Sequence, residues 1–69
     1  MKVYVNNISI ELFTGARAKD AILKYNYITN EFVPIRNLII TDKWGNEIAE
    51  DSGLEENDPI FIQKIKIDK

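Results

Sequence analysis

Ala18-Lys19-Asp20-Ala21-Ile22-Leu23-Lys24-Tyr25 is the one stretch of this chain with a helical period. Ala18, Ala21, Ile22 and Tyr25 fall at i, i+3, i+4 and i+7, an apolar stripe that Leu23 widens. Lys19, Asp20 and Lys24 lie outside it. Asp20 stands near the positive end of the helix dipole and Lys24 near the negative end. Arg17 occupies the place where Ser, Thr or Asp would normally cap the first turn, so the helix is expected but its first residue is not fixed. Alanines at two stripe positions predict close packing on a sheet.

Strand signals surround this helix. Val3 and Val5, then Ile8, Ile10 and Leu12, alternate with polar neighbours on either side of Asn6-Asn7. Asparagine tolerates positive φ, so Asn-Asn serves as a tight hairpin turn. On this register all five apolar residues face the core, while Tyr4 and Glu11 point to the other face. Gly15 supplies the change of direction into the helix. Asn26 to Pro34 has no sustained period and reads as a connector, in which several of Tyr27, Ile28, Phe32 and Val33 should pack over the helix end or the sheet edge. Leu38 to Thr41 and Glu47 to Ala49 read as two short strands about a glycine-containing turn. Leu54 stands as an isolated apolar anchor. Ile60 to Ile67 carries the strongest strand signal of all.

Length and composition narrow the functional classes. With 69 residues the chain makes one domain, residues 1–69, which would bury only about 60% of its unfolded surface. That argues against a large enclosed active site. There is no cysteine and no histidine, which excludes thiol nucleophiles, imidazole bases and ordinary zinc sites. Nine Lys and Arg against 11 Asp and Glu give a net charge of −2 with no basic block, so nucleic acid is a poor partner. The N-terminus reaches polar residues too soon for a signal peptide, and no apolar run approaches the ~18 residues of a membrane span. A complete cytoplasmic chain is the expectation, with no membrane partner. Asn7-Ile8-Ser9 matches a glycosylation sequon but is read as a turn.

A hairpin, one helix, a connector, two short strands and a long last strand predict an α+β domain. The final strand should insert beside the first, parallel to it, in a mixed sheet of four to five strands packed on one helix. That is a β-grasp, ubiquitin-like arrangement. The residues also resemble the small sulfur carriers of thiamine and molybdopterin synthesis. The matching features are the opening strand and turn from Met1 to Asn7, Gly15 three residues before the helix, and Leu54-x-x-Asn57-Asp58-x-Ile60-x-Ile62 at the close. The resemblance covers most of the chain and least of Asn26 to Asn37. It implies a fold more than a function. Carriers of that family end in two glycines that present the reactive carboxylate, whereas this sequence ends Lys66-Ile67-Asp68-Lys69. The carrier's reactive end therefore transfers to no residue here.

The outer sheet face is the first candidate surface. With Val3, Val5, Ile60 and Ile62 inward, Tyr4, Phe61 and Ile65 form an outward apolar patch, similar to the surface by which ubiquitin-like domains bind partners. A bulge after Ile62, or cover from Phe32 and Val33, would remove it. Trp44 is the second candidate, since exposed tryptophans serve as binding hot spots. A lone tryptophan in a turn more often folds back to cap a small core, and that placement is the one expected. Glu50, Asp51, Glu55, Glu56 and Asp58 read as a solvated acidic rim, with no metal-site spacing. No catalytic residue, cofactor-binding motif or metal ligand set is assigned. The reading is a non-catalytic module that binds another protein, as accessory or adaptor to a larger enzyme. Its alternatives are a sulfur carrier or degenerate relative, and a small-ligand-binding β-grasp module.

Overall fold

The computed structural model describes residues 1–31 and 33–65. Strands β1 (Lys2–Val5) and β2 (Ile8–Glu11) are followed by helix α1 (Ala18–Thr29), a 3-10 turn at Ile35–Asn37, and strands β3 (Leu38–Thr41) and β4 (Pro59–Lys64). The sheet order is β2-β1-β4-β3. β1 and β4 run parallel, pairing Tyr4 with Pro59 and Val5 with Ile60, and both outer pairs are antiparallel. This is a mixed four-strand sheet on a single helix, with the last strand placed beside the first as the β-grasp arrangement requires.

The hairpin forms for the reason its sequence suggests. Asn6 and Asn7 both take positive φ, 50° and 70°, the requirement of a two-residue turn whose twist matches its strands. Val5 then stands opposite Ile8 and Val3 opposite Ile10. Val3, Val5 and Ile10 are fully buried, but Ile8, at the turn end of an edge strand, is 39% exposed and leaves the predicted core set. Leu12 is half-buried against the core.

Asn6 does a second job past the end of β1. Its side-chain Oδ1 accepts the Ile62 N–H at 2.9 Å and its Nδ2 donates to the Ile62 carbonyl at 3.4 Å. An amide side chain thus continues the β1–β4 ladder where the backbone of β1 turns away. The Tyr25 hydroxyl accepts from the same Nδ2 at 3.4 Å, which ties the helix to this junction.

The expected helix forms and starts at Ala18, a boundary the sequence left open, and no side chain caps it in the usual way. Asp20 returns one bond, its carboxylate accepting the Arg17 N–H at 2.9 Å. The remaining early donors go to a distant loop and to Arg17. Ala18 N–H donates to Ser52 O at 2.8 Å, Lys19 N–H to Glu50 O at 2.9 Å, and Asp20 N–H to Arg17 O at 2.9 Å. All the orphan donors of the first turn are therefore satisfied. Arg17 Nη1 donating to Asp51 O and an ion pair of Lys19 with Asp51 at 3.4 Å fasten the same loop, and Leu54 N–H donates to Ala16 O.

The far end of the helix departs from the sequence reading. It runs on to Thr29 through residues read as connector, and Asn30 closes it in the left-handed region at φ 61°. Lys24 consequently sits mid-helix rather than in the last turn. The stripe continues through Asn26, which is buried but polar, so an apolar count stops at Tyr25. Its Nδ2 donates to Val33 O at 3.2 Å, pinning the segment after the helix. Ala18, Ala21 and Ile22 are fully buried, whereas Leu23 is 59% exposed and does not widen the stripe. Tyr27 and Ile28 are exposed too, and of the four expected packers Val33 alone is seen against the core, Phe32 lying outside the described residues. Leu23→Gln should therefore change stability by less than about 0.5 kcal/mol. A chemical denaturation midpoint equal to the parent's checks this.

Only the first strand of the expected second hairpin persists. Glu47 makes an isolated bridge with Thr41, and Ile48 N–H donates to Ile40 O at 2.8 Å. The turn between them is held by Asp42, whose carboxylate accepts the N–H groups of Trp44 and Asn46. Asp42 N–H also donates to Asn46 O, so the turn closes as a hairpin. Pairing with β3 goes no further than this one bridge and one bond, too short for Glu47 to Ala49 to count as a strand. β4 ends at Lys64, and the Lys66 and Ile67 part of the strand read from sequence lies outside the described residues.

Candidate interaction surfaces

The alternation of the four strands sorts side chains between two faces. Val3, Val5, Ile10, Ile40 and Ile60 are buried on the helix side, and Ile62 packs there partly buried. On the outer side stand Tyr4 of β1, Phe61 and Gln63 of β4, and Ile39 and Thr41 of β3. Phe61 pairs with Thr41, Gln63 pairs with Ile39, and Tyr4 lies opposite Pro59, two residues before Phe61. Tyr4, Ile39 and Phe61 are each half-buried. Outer-face apolar side chains therefore occupy three adjacent strands.

Of the arrangements that would remove this surface, a bulge and cover by Val33 do not occur, and Phe32 lies outside the described residues. The β3–β4 register runs from Leu38–Lys64 to Thr41–Phe61 without a bulge. Val33 packs against the core cluster, on the helix side. Ile65 lies just past β4, is 41% exposed, and its N–H donates to Asn37 O at 2.9 Å, which extends the antiparallel register by one pair. Ile65 thus follows Phe61 and Gln63 in parity.

Trp44 is not a core cap. Its ring is 74% exposed at the tip of the Asp42–Asn46 turn, and Lys43 Nζ stands 4.5 Å from the ring centroid. Gly45 takes φ 83° in this turn, a conformation that L side chains rarely adopt, so the turn bends where it does because a glycine is there. Trp44 follows β3, and the cleft it adjoins is lined by Ile48, Leu54, Pro59 and Ile60, with neither Tyr4 nor Phe61 among its walls.

Sequence reasoning missed a third apolar surface. Phe13 is 62% exposed and Tyr27 77% exposed, with Leu23 between them on a shallow depression that Lys24 and Glu11 border. A count of period 3.6 extended to Tyr27 from Asp20 would have found it, because Asp20, Leu23, Lys24 and Tyr27 repeat the same spacing on the opposite side of the helix.

Among the described residues no three metal-ligating side chains gather, and no helix is long and apolar enough to cross a membrane. The acidic rim makes structural contacts: Asp58 accepts the Glu55 N–H at 2.8 Å, Glu56 accepts the Lys2 N–H at 3.3 Å, and Asp51 pairs with Lys19. The chain matches no protein-family model, no curated protein and no solved structure.

Proposed function

We propose that this protein is a non-catalytic, ubiquitin-like β-grasp module that acts by contact with another protein, as an accessory or adaptor to a larger enzyme. The observation that carries the reading is the outer sheet face, where Tyr4, Phe61 and Ile39 stand on adjacent strands while the helix and the core lie on the other side. Half-exposed apolar side chains on adjacent strands support an interface there. Ile65 extends it along β4.

Phe61→Ser tests the reading. The substitution should lower the melting temperature by no more than about 8 °C, the shift that ~1 kcal/mol makes in a domain this size. It should also abolish retention of a partner that the parent chain captures from the organism's own lysate. Collapse of the fold would place Phe61 in the core and end the proposal, as would undiminished capture by the folded variant.

The sulfur-carrier alternative draws on the same strand order and on the resemblance of Leu54 to Ile62. Intact-mass measurement after incubation with an adenylating enzyme and ATP separates the two. A C-terminal adenylate or thiocarboxylate would replace the adaptor reading.

A further inference from the structure

A cleft of about 210 Å³ opens where β3 ends and β4 begins, between the Asp42–Asn46 turn and the loop that leads to Pro59. Ile48, Leu54 and Ile60 line it with the apolar layer that closes the core at this end, Trp44 contributes its indole, and Asp42 and Asp58 contribute carboxylates. Trp44 is displayed on a braced support. Asp42 holds the N–H groups of Trp44 and Asn46 at 2.9 and 3.0 Å, and Gly45 N–H donates to Asp42 O at 3.0 Å. The backbone that carries this 74% exposed residue is thus ordered by the fold, so only the side chain's own freedom is lost when the ring is covered.

Charge identifies what such an anchor would hold. The segment from Asp42 to Asp58 contains seven of the chain's 11 acidic residues and one base, a balance of −6, while the rest of the sequence has four acids and eight bases, a balance of +4. The single base of the acidic segment is Lys43, and its ammonium lies over the Trp44 ring at 4.5 Å. The chain therefore already places a cation on this indole, as the negative face of an aromatic ring favours. A basic residue from outside would meet the same ring, an aliphatic floor for its stem and two carboxylates for its head.

The geometry points to this cleft as the docking site for a basic segment of a partner protein, with an Arg or Lys side chain entering against Trp44 and exchanging with Lys43. The inference rests on the reading that the protein works by protein contact, and assigns a partner chemistry to a cleft that Tyr4 and Phe61 do not line. Lys43 then acts as a resident placeholder that an incoming cation displaces.

Trp44 is the only tryptophan of the chain, so its emission reports on this cleft alone. The full chain is titrated with acetylated tetra-arginine amide, and with tetraglutamate as the control. Saturable change in emission is expected with the first peptide and none with the second. Asp58→Asn keeps an acceptor for the Glu55 N–H while removing the charge, and should weaken binding about two- to fivefold. Lys43→Gln frees the ring and should tighten binding about two- to fivefold. Lys24→Gln makes the same change in net charge on the helix and should leave affinity as it was. Absence of an emission change at millimolar peptide would overturn the proposal, as would an equal response to tetraglutamate or equal effects of Lys43→Gln and Lys24→Gln. An emission change that depends on protein concentration without peptide would assign the cleft to a second copy instead. Phe61→Ser should leave the titration unaltered, so a failure of the outer-face reading and a failure of this one give different results.

Discussion

Ile22→Ala will unfold most of the protein well below the melting temperature of the parent. Ile22 is wholly buried, on the helix face that meets the sheet, in one cluster with Val3, Val5, Ile10 and Ile60. Removing three carbons from such a site costs about 2–5 kcal/mol, because transfer free energy is lost and a cavity remains. Alanine is the better helix former, so propensity offsets only a few tenths of that. A domain of this length has total stability on the order of 3–10 kcal/mol, so the loss is a large fraction of the whole. Thermal unfolding followed by circular dichroism should show a midpoint lowered by roughly 10–30 °C. A shift under about 4 °C would mean that the helix does not hold the sheet through this residue. Leu23→Gln one position along makes the contrast within a single turn.

Asn6 variants will separate conformation from hydrogen bonding. Asn6→Ala loses the bonds to Ile62 and places alanine at φ 50°, with the Ile62 N–H left without its acceptor. Leaving such a donor unpaired costs about 1–3 kcal/mol, and the left-handed backbone adds about 1 kcal/mol more. Asn6→Gly restores the backbone freedom but not the bonds. Asn6→Asp keeps the acceptor for Ile62 N–H and loses only the weaker donor contacts at 3.4 Å. Denaturation should rank alanine as the most damaging, glycine next and aspartate least. If alanine and glycine were equal, φ would have no cost; if glycine matched the parent, the side-chain bridge would contribute nothing.

The features legible in the sequence are those that short-range physics decides. Asn6-Asn7 between alternating runs specifies a hairpin with its register, because turn geometry and inward apolar residues agree. Gly15 followed by the alanine-rich stripe marks the start of the helix. One helix with a sheet to cover, and a long last strand, leave few topologies, so the parallel placement of the last strand beside the first followed from the order of elements, while its register did not. What remained hidden depends on partners far along the chain. Asn26 reads as a loop residue until its Nδ2 is seen to meet Val33 O. Ile22 lies in the stripe by its spacing, but how wide the buried stripe is, and so whether Leu23 shares it, depends on how the helix sits on the sheet. Glu47 to Ala49 has the composition of a short strand, but its pairing with β3 stops after one bridge and one hydrogen bond, a length that sequence does not reveal. Trp44 was expected inward for want of any sign that its turn faces away. Strand parity is countable, and a turn's direction is not.

The way the helix begins has a consequence for how the chain folds. Its first donors are met by the carbonyls of Ser52 and Glu50, more than 30 residues later, and β1 finds its inner neighbour only in Ile60. Local signals can therefore form the hairpin on a timescale of microseconds, yet they leave α1 with an unfinished start. Its completion waits for closure of a long loop, which sets the speed of domains rich in distant pairings. During synthesis the Ala18–Thr29 segment would remain a fraying helix until β4 and the loop before it emerged, and the N-terminal strand would acquire its central place in the sheet last.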